Sequence, residues 1–362
     1  MNIYKKVLVA FVIIIFSYII WRLILRRNNI INKNVKEGME FNIIPTGATA
    51  ELNGLKDNVL KINIQSLQQK YATLPLMEYC IKGSYNSAFT GTYVSTDMLI
   101  YQLSRGGRFF DFEVYYVQDP TSGLYSPHVG YSTDGTFVSM NSENTILLDN
   151  VLSALVSNAF SQTSPNFKDP LFINLRIKSN NNDVYRATAA SVDFALRKRL
   201  YPKTVTKKTS MGQLMGYVVL MIDKTINYDY TQYTSCKQGD QTCFDLTKYT
   251  NLQSGSTDML FNRYTNILNQ NYIGIHIKDD NLKTNVSQMN LVLPDVLPEN
   301  APNPKIEQFI KNYACQIVPF KFYQQDQGLK KYEEFFNDNN AGIVPLSAAL
   351  IYYKKMDSLN SE

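Results

Sequence analysis

Asp111 and Glu113, in the run RGGRFFDFEVYY (105–116), are the first residues whose types and spacing suggest chemistry. Two carboxylates two apart share one face of a β-strand, because strand side chains alternate sides. Burying such a pair requires a positive partner between them, a metal ion or a basic side chain. Histidine, the usual proton carrier near neutral pH, is scarce. The chain has only two, His128 in SPHVGYS and His276 in IGIHIK, and the second has no partner pattern around it. Tyr85 and Asn86 in KGSYNSAF, Arg176 in FINLRIKS and Lys224 in MIDK complete the polar residues found where apolar runs end.

These residues are spread over 140 positions, so a fold must gather them. From about residue 77, short apolar runs alternate with longer helical segments. MEYCIKG precedes VSTDMLIYQLSRG, and RFFDFEVYYV and SPHVGYS precede LLDNVLSALVSNAFS. PLFINLRIKS precedes DVYRATAASVDFALRKRLY, and GYVVLMIDK, QMNLVLPD, CQIVPFKFY and AGIVPLSAAL continue the series. Roughly eight strands alternating with helices predict an α/β fold with a parallel sheet, closed as a (β/α)8 TIM-like barrel over 75–355. A doubly wound sheet would need a glycine-rich turn after its first strand, and KGSYNSAF is not one. Residues 225–285, rich in Tyr, Thr, Asn and Gln, read as a long rim insertion with some helix.

The 362 residues are 44% hydrophobic, enough for one large core. The net charge of +5 is matched by Lys5, Lys6, Arg22, Arg26 and Arg27 alone. The remainder is neutral overall and carries no basic stripe, which excludes a nucleic-acid surface. Residues 7–25 are apolar except for Ser17, Tyr18 and Arg22. That is close to the ~20 residues that span a bilayer, and no small-x-small cleavage site precedes the basic pair. Residues 1–27 are therefore expected to form an uncleaved single-pass transmembrane helix, followed by a stalk over 28–74 that partly packs on the barrel. Three arginines after the span and two lysines before it favour a cytosolic C-terminal domain, or one facing the inside of a viral membrane. The Asn-, Tyr-, Ile- and Lys-rich composition suits an AT-rich genome. Cys80 and Cys315 lie in apolar runs and read as buried thiols. Cys236 and Cys243 flank the polar turn KQGDQT, where the spacing allows either a small disulfide loop or two free thiols.

In order and spacing the motifs resemble the phosphoinositide-specific phospholipase C family. IKGSYNSAF occupies the place of that family's Ser-His-Asn segment, and LSRGGRFFDFEV is similar to its Gly-x-Arg…acid-x-acid strand. SPHVGYS resembles the strand bearing its second histidine, and PLFINLRIKS the strand ending Leu-Ser-Leu-Glu. NYACQIVPFKFY followed by NNAGIVP is similar to its second conserved block. In the family, an inositol hydroxyl attacks the neighbouring phosphodiester, two histidines assist, and calcium or an arginine balances charge. The resemblance implies that Asn86, Asp111 and Glu113 match calcium ligands, His128 the second histidine, and Lys224 a lysine that meets inositol phosphates. It also marks departures. Tyr85 stands for the first histidine, Arg176 for a glutamate calcium ligand, and Leu291 and Leu293 for the substrate-gripping Arg and Tyr. The guanidinium of Arg176 is then expected to neutralise Asp111 and Glu113 where calcium would sit. The function implied is a membrane-anchored, catalytically degenerate phospholipase C-like barrel that serves as a binding or structural module at a membrane, its partners being the membrane, a phospholipid headgroup or phosphodiester, or a protein at the 225–285 rim. The alternative is an active phosphodiesterase acting on phosphatidylinositol or a related phosphodiester, with Tyr85, His128 and Arg176 as its catalytic groups.

Overall fold

The computed structural model describes residues 46–56, 61–132, 140–236, 242–272, 274–278, 282–298 and 300–360. The anchor expected over 1–27 lies outside them. Among the described residues no helix is long and apolar enough to cross a membrane. Two units are distinguished, Met1–Thr46 and Gly47–Glu362, and the second carries everything that follows. Leu52, Leu55, Ile64, Leu67 and Leu74 are already buried, so this unit begins upstream of the strands.

The strands are β1 (Tyr79–Ile81), β2 (Gly83–Ser84), β3 (Phe109–Gln118), β4 (Tyr125–Gly130), β5 (Ile146–Leu147), β6 (Leu171–Ile177) and β7 (Val218–Asp223). They continue with β8 (Leu252–Ser254), β9 (Leu260–Arg263), β10 (Ile277–Lys278), β11 (Lys283–Thr284), β12 (Asn290–Leu293) and β13 (Ile343–Pro345). A parallel ladder runs β2–β3–β6–β7–β8. A second parallel pair, β9–β12, joins it through single bridges at Leu291–Ile317, Ile81–Ile317 and Ser84–Phe320. β13 pairs antiparallel with β1. This is the α/β barrel plan with helices outside. The expected closure is not complete, because among the described residues no ladder joins β8 to β9.

Two further expectations are corrected. The run SPHVGYS is not a parallel barrel strand. β4 turns back from β3 as an antiparallel hairpin, with Glu113 opposite Gly130 and Tyr115 opposite His128. The turn at 119–124 supplies the reason: Asp119 accepts from the backbone N–H groups of Thr121 and Ser122, and Gly123 takes a positive φ. The 225–285 segment, read as a rim loop, carries β8 and β9 as well as the small hairpin β10–β11. It also holds a Cys236–Cys243 disulfide, resolving the pairing left open above, while Cys80 and Cys315 are free and buried.

The alternation of β3 decides which way its acids point. Phe110, Phe112 and Val114 pack outward with Leu99, Leu103, Leu152 and Leu155 of the surrounding helices. Phe109 packs inward with Phe172, Val219, Met221, Leu291 and Ile317. Asp111 and Glu113 share Phe109's face, so both carboxylates project into the barrel interior.

Candidate active site: an arginine among the barrel carboxylates

Strand pairing sets Asp111 beside Asn174 and Glu113 beside Arg176. Because Asn174, Arg176 and Lys178 alternate along one run, all three face inward with the acids. Arg176 Nε donates to Asp111 Oδ1 at 3.0 Å, and Nη2 donates to Asp111 Oδ2 at 2.7 Å. Nη1 donates to Glu113 Oε1 at 2.7 Å, and Nη2 also to Asn86 Oδ1 at 2.5 Å. Four of the five guanidinium N–H groups are thus engaged. Lys178 Nζ lies 3.0 Å from Glu113 Oε1. The other Glu113 oxygen accepts from Tyr115 OH (2.6 Å) and from the backbone N–H of Ser132 (2.9 Å). Asp111 Oδ1 also accepts from Asn174 Nδ2 at 2.8 Å.

Local structure fixes these groups. Asn86 adopts a positive φ of 46°, a conformation asparagine tolerates better than most residues. Ser87 then locks its loop to β3, donating its N–H to the Asp111 carbonyl while its Oγ accepts from the Asp111 N–H. Tyr85 covers the guanidinium, its ring centroid 4.7 Å from Arg176 Cζ. Phe89 stacks on Tyr131 at 3.9 Å and meets Tyr323 edge-on, placing an aromatic cluster on the loops at this end of the strands.

Burial and charge act in opposition here. Burial alone would lower the Arg176 pKa, but Asp111 and Glu113 outweigh it and hold the group firmly protonated. Burial lowers Lys178 despite Glu113, and it raises the Tyr85 phenol despite Arg176. Asp223, level with Arg176 on the next strand, is pushed up by burial, and its Oδ2 has no hydrogen-bond partner.

No protein-family model matches the sequence, and no curated protein matches it. Solved structures do. PLC21 of L. pealei superposes with a TM-score of 0.54 at 14% identity, over 76% of this chain and 37% of that one. PLC21 of S. officinalis gives 0.50 at the same identity and the same coverage. A calcium-dependent phosphoinositol-specific phospholipase C from Pseudomonas sp scores 0.43 at 10% identity, over 77% of this chain and 97% of that one. The fold is phospholipase C-like. The chain spans little more than a third of the length of either PLC21 chain.

In this phospholipase C-like barrel, Asn86, Asp111, Glu113, Arg176 and Tyr85 come together. His128 stays apart from them. It lies on the same face of the hairpin, two positions beyond Glu113's partner, but its ring is held by Ser126 (3.0 Å) and Thr145 (2.9 Å). Burial lowers its pKa to about 4, which leaves a neutral imidazole at pH 7. Lys224 follows β7, half-buried, with its backbone N–H on Ser254. Leu291 and Leu293 are fully buried in the interior apolar cluster.

Calcium does not fit this arrangement. The donor set of Asn86, Asp111 and Glu113 has the hard oxygens such an ion takes. Arg176 already engages an oxygen of each, and a dication beside a guanidinium is repelled. Among the described residues no cluster of three acidic, histidine or cysteine ligands could hold a metal. The sequence reading missed Asn174 and Lys178, though the period-two pattern of NLRIK contains both. It also missed Arg263, which ends β9 opposite Leu293 and donates to the Pro294 carbonyl at 2.7 Å. The charge of Arg263 acts on Tyr85, Lys178 and Asp223, a proximity only the strand pairing reveals.

Proposed function

We propose that this chain is a catalytically degenerate phospholipase C-like barrel, acting as a metal-free binding or structural module at a membrane. One observation carries the reading: Arg176, 1% exposed, holds Asp111, Glu113 and Asn86 together and keeps a single N–H in reserve. A guanidinium so engaged has little left to offer a phosphorane, and a tyrosine at position 85 brings no cation near neutral pH. The apolar N-terminal run supports the membrane placement. The test is turnover of phosphatidylinositol vesicles, with and without calcium. Rates at background in both, with little recovery in Tyr85→His, support the proposal. Repairing one member of a damaged set restores little until its partners are present.

A second reading keeps Arg176 as a permanent replacement for calcium in an active phosphodiesterase. The position of the guanidinium, between the carboxylates and under Tyr85, favours it. Turnover of phosphatidylinositol or a related phosphodiester that disappears in His128→Ala would establish this reading and end the first.

A further inference from the structure

A cavity of about 700 Å³ opens at the opposite end of the strands, where the segments leading into β6 and β7 meet. That volume is in the range of small-molecule sites. Phe160, Phe167, Leu67 and Met215 give it apolar walls, and Lys168 and Arg199 are its cations. Each cation stands over a ring: Arg199 Cζ is 5.0 Å from the Phe160 centroid, and Lys168 Nζ is 5.9 Å from that of Phe167. None of the described residues lining the cavity is acidic, and among the described residues no carboxylate pairs with either cation. Gly216, whose φ is 75°, leaves open space where a side chain would stand. It also ties the walls together, its N–H on the Lys168 carbonyl and its carbonyl accepting from Arg199 at 3.4 Å.

A wall that is apolar and aromatic, with two cations and no acid, suits one class of ligand. We infer that this cavity binds a small amphipathic anion, an aryl or short alkyl group bearing a carboxylate, sulfonate or phosphate. The acid meets Lys168 and Arg199, and the apolar part lies against the phenylalanines, Leu67 and Met215. The simpler alternative is that both cations only cover their own rings. In that case the cavity would have no preference for charge.

Anilinonaphthalene sulfonate fluorescence on the wild-type protein separates the two. Saturable binding is expected, with the uncharged N-phenylnaphthylamine binding at least about tenfold more weakly and inorganic phosphate alone failing to displace the probe. Raising the salt should weaken binding, since both cations are exposed. In Lys168→Ala/Arg199→Ala the affinity for the sulfonate should fall about tenfold or more, while that for the neutral probe stays unchanged. Equal affinity for the two probes, or a double variant that binds the sulfonate as the wild type does, overturns the inference. None of these readouts involves phosphodiester turnover or calcium, so failure here leaves the reading of the Arg176 site standing.

Discussion

Two buried ion clusters lie at different places on the same barrel, and they are balanced differently. Around Arg176, two carboxylates, Asp111 and Glu113, meet two cations, Arg176 and Lys178. Around Glu333, two cations meet one carboxylate. Arg105 grips it through Nε at 2.5 Å and Nη2 at 2.7 Å, and Lys82 approaches to 3.4 Å while also donating to the Arg105 carbonyl at 2.7 Å. The second cluster ties the helix Gln327–Asp338 to Arg105, which ends the helix Thr96–Ser104, and to Lys82 between β1 and β2. Its excess charge falls on Lys82, which burial brings down to about 8 in spite of Glu333. For Glu333, burial alone would raise the pKa, but Lys82 and Arg105 overcome that and lower it. The first cluster sits among inward-facing residues of β3 and β6 and is neutral as a set. Formal balance between its two acids and two cations leaves this cluster no net charge for an added cation to offset.

The largest effects should come from breaking each cluster at its centre. Arg176→Met leaves two buried carboxylates with only Lys178 between them. A loss of about 3–5 kcal/mol is expected by urea denaturation near pH 8. The loss should shrink at pH 5, where an orphaned carboxyl can take up a proton. Glu333→Gln should show the opposite trend. Its cost falls as pH rises from 7 to 9, because Lys82, already near 8, can shed its charge while Arg105 cannot. Parallel pH trends for the two variants would show that the clusters do not differ as described.

Next in size is the acid limb of the wild-type stability curve. His128 titrates near 4 when folded and near 6.5 when unfolded, so between those values the unfolded chain binds the extra proton. Stability conferred by the neutral ring is complete above about pH 6.5 and is lost as pH falls towards 4. The loss is about 3 kcal/mol at most, since the ring is only part-buried. His128→Asn should flatten that limb, while costing about 1 kcal/mol near pH 8 through the lost ring contacts with Ser126 and Thr145. An unchanged limb would mean that the ring is not held neutral by burial.

The smallest effect concerns Tyr85. Its ring faces Arg176, so Tyr85→Phe should change stability by less than about 0.5 kcal/mol. Tyr85→Leu, which loses the cation–π contact, should cost about 1–2 kcal/mol more. Equal behaviour of the two would show that the ring merely fills space.

The strand phase of FFDFEV was enough to place both acids on one face, the alternation of runs carried the barrel plan, and the resemblance to the phospholipase C family pointed to Arg176 as their partner; the inward direction came from the packing of Phe109. What the sequence concealed has physical reasons. A one-dimensional pattern does not distinguish an antiparallel hairpin from a parallel strand, so SPHVGYS was read in the wrong direction. β8 and β9 are only three and four residues long, with polar ends in LQS and LFNR, too short for a period to show. Arg263 becomes visible only through its pairing with Leu293 on β12, a contact across 30 positions.

Calcium calorimetry tests the closed cluster most directly. Wild-type protein should give no binding heat in the sub-millimolar range. Arg176→Glu, which removes the guanidinium and adds a carboxylate between Asp111 and Glu113, should bind calcium measurably and melt at a higher temperature with it than without. Sub-millimolar calcium binding by the wild type, lost in Asp111→Asn, would show that Arg176 leaves the metal position open.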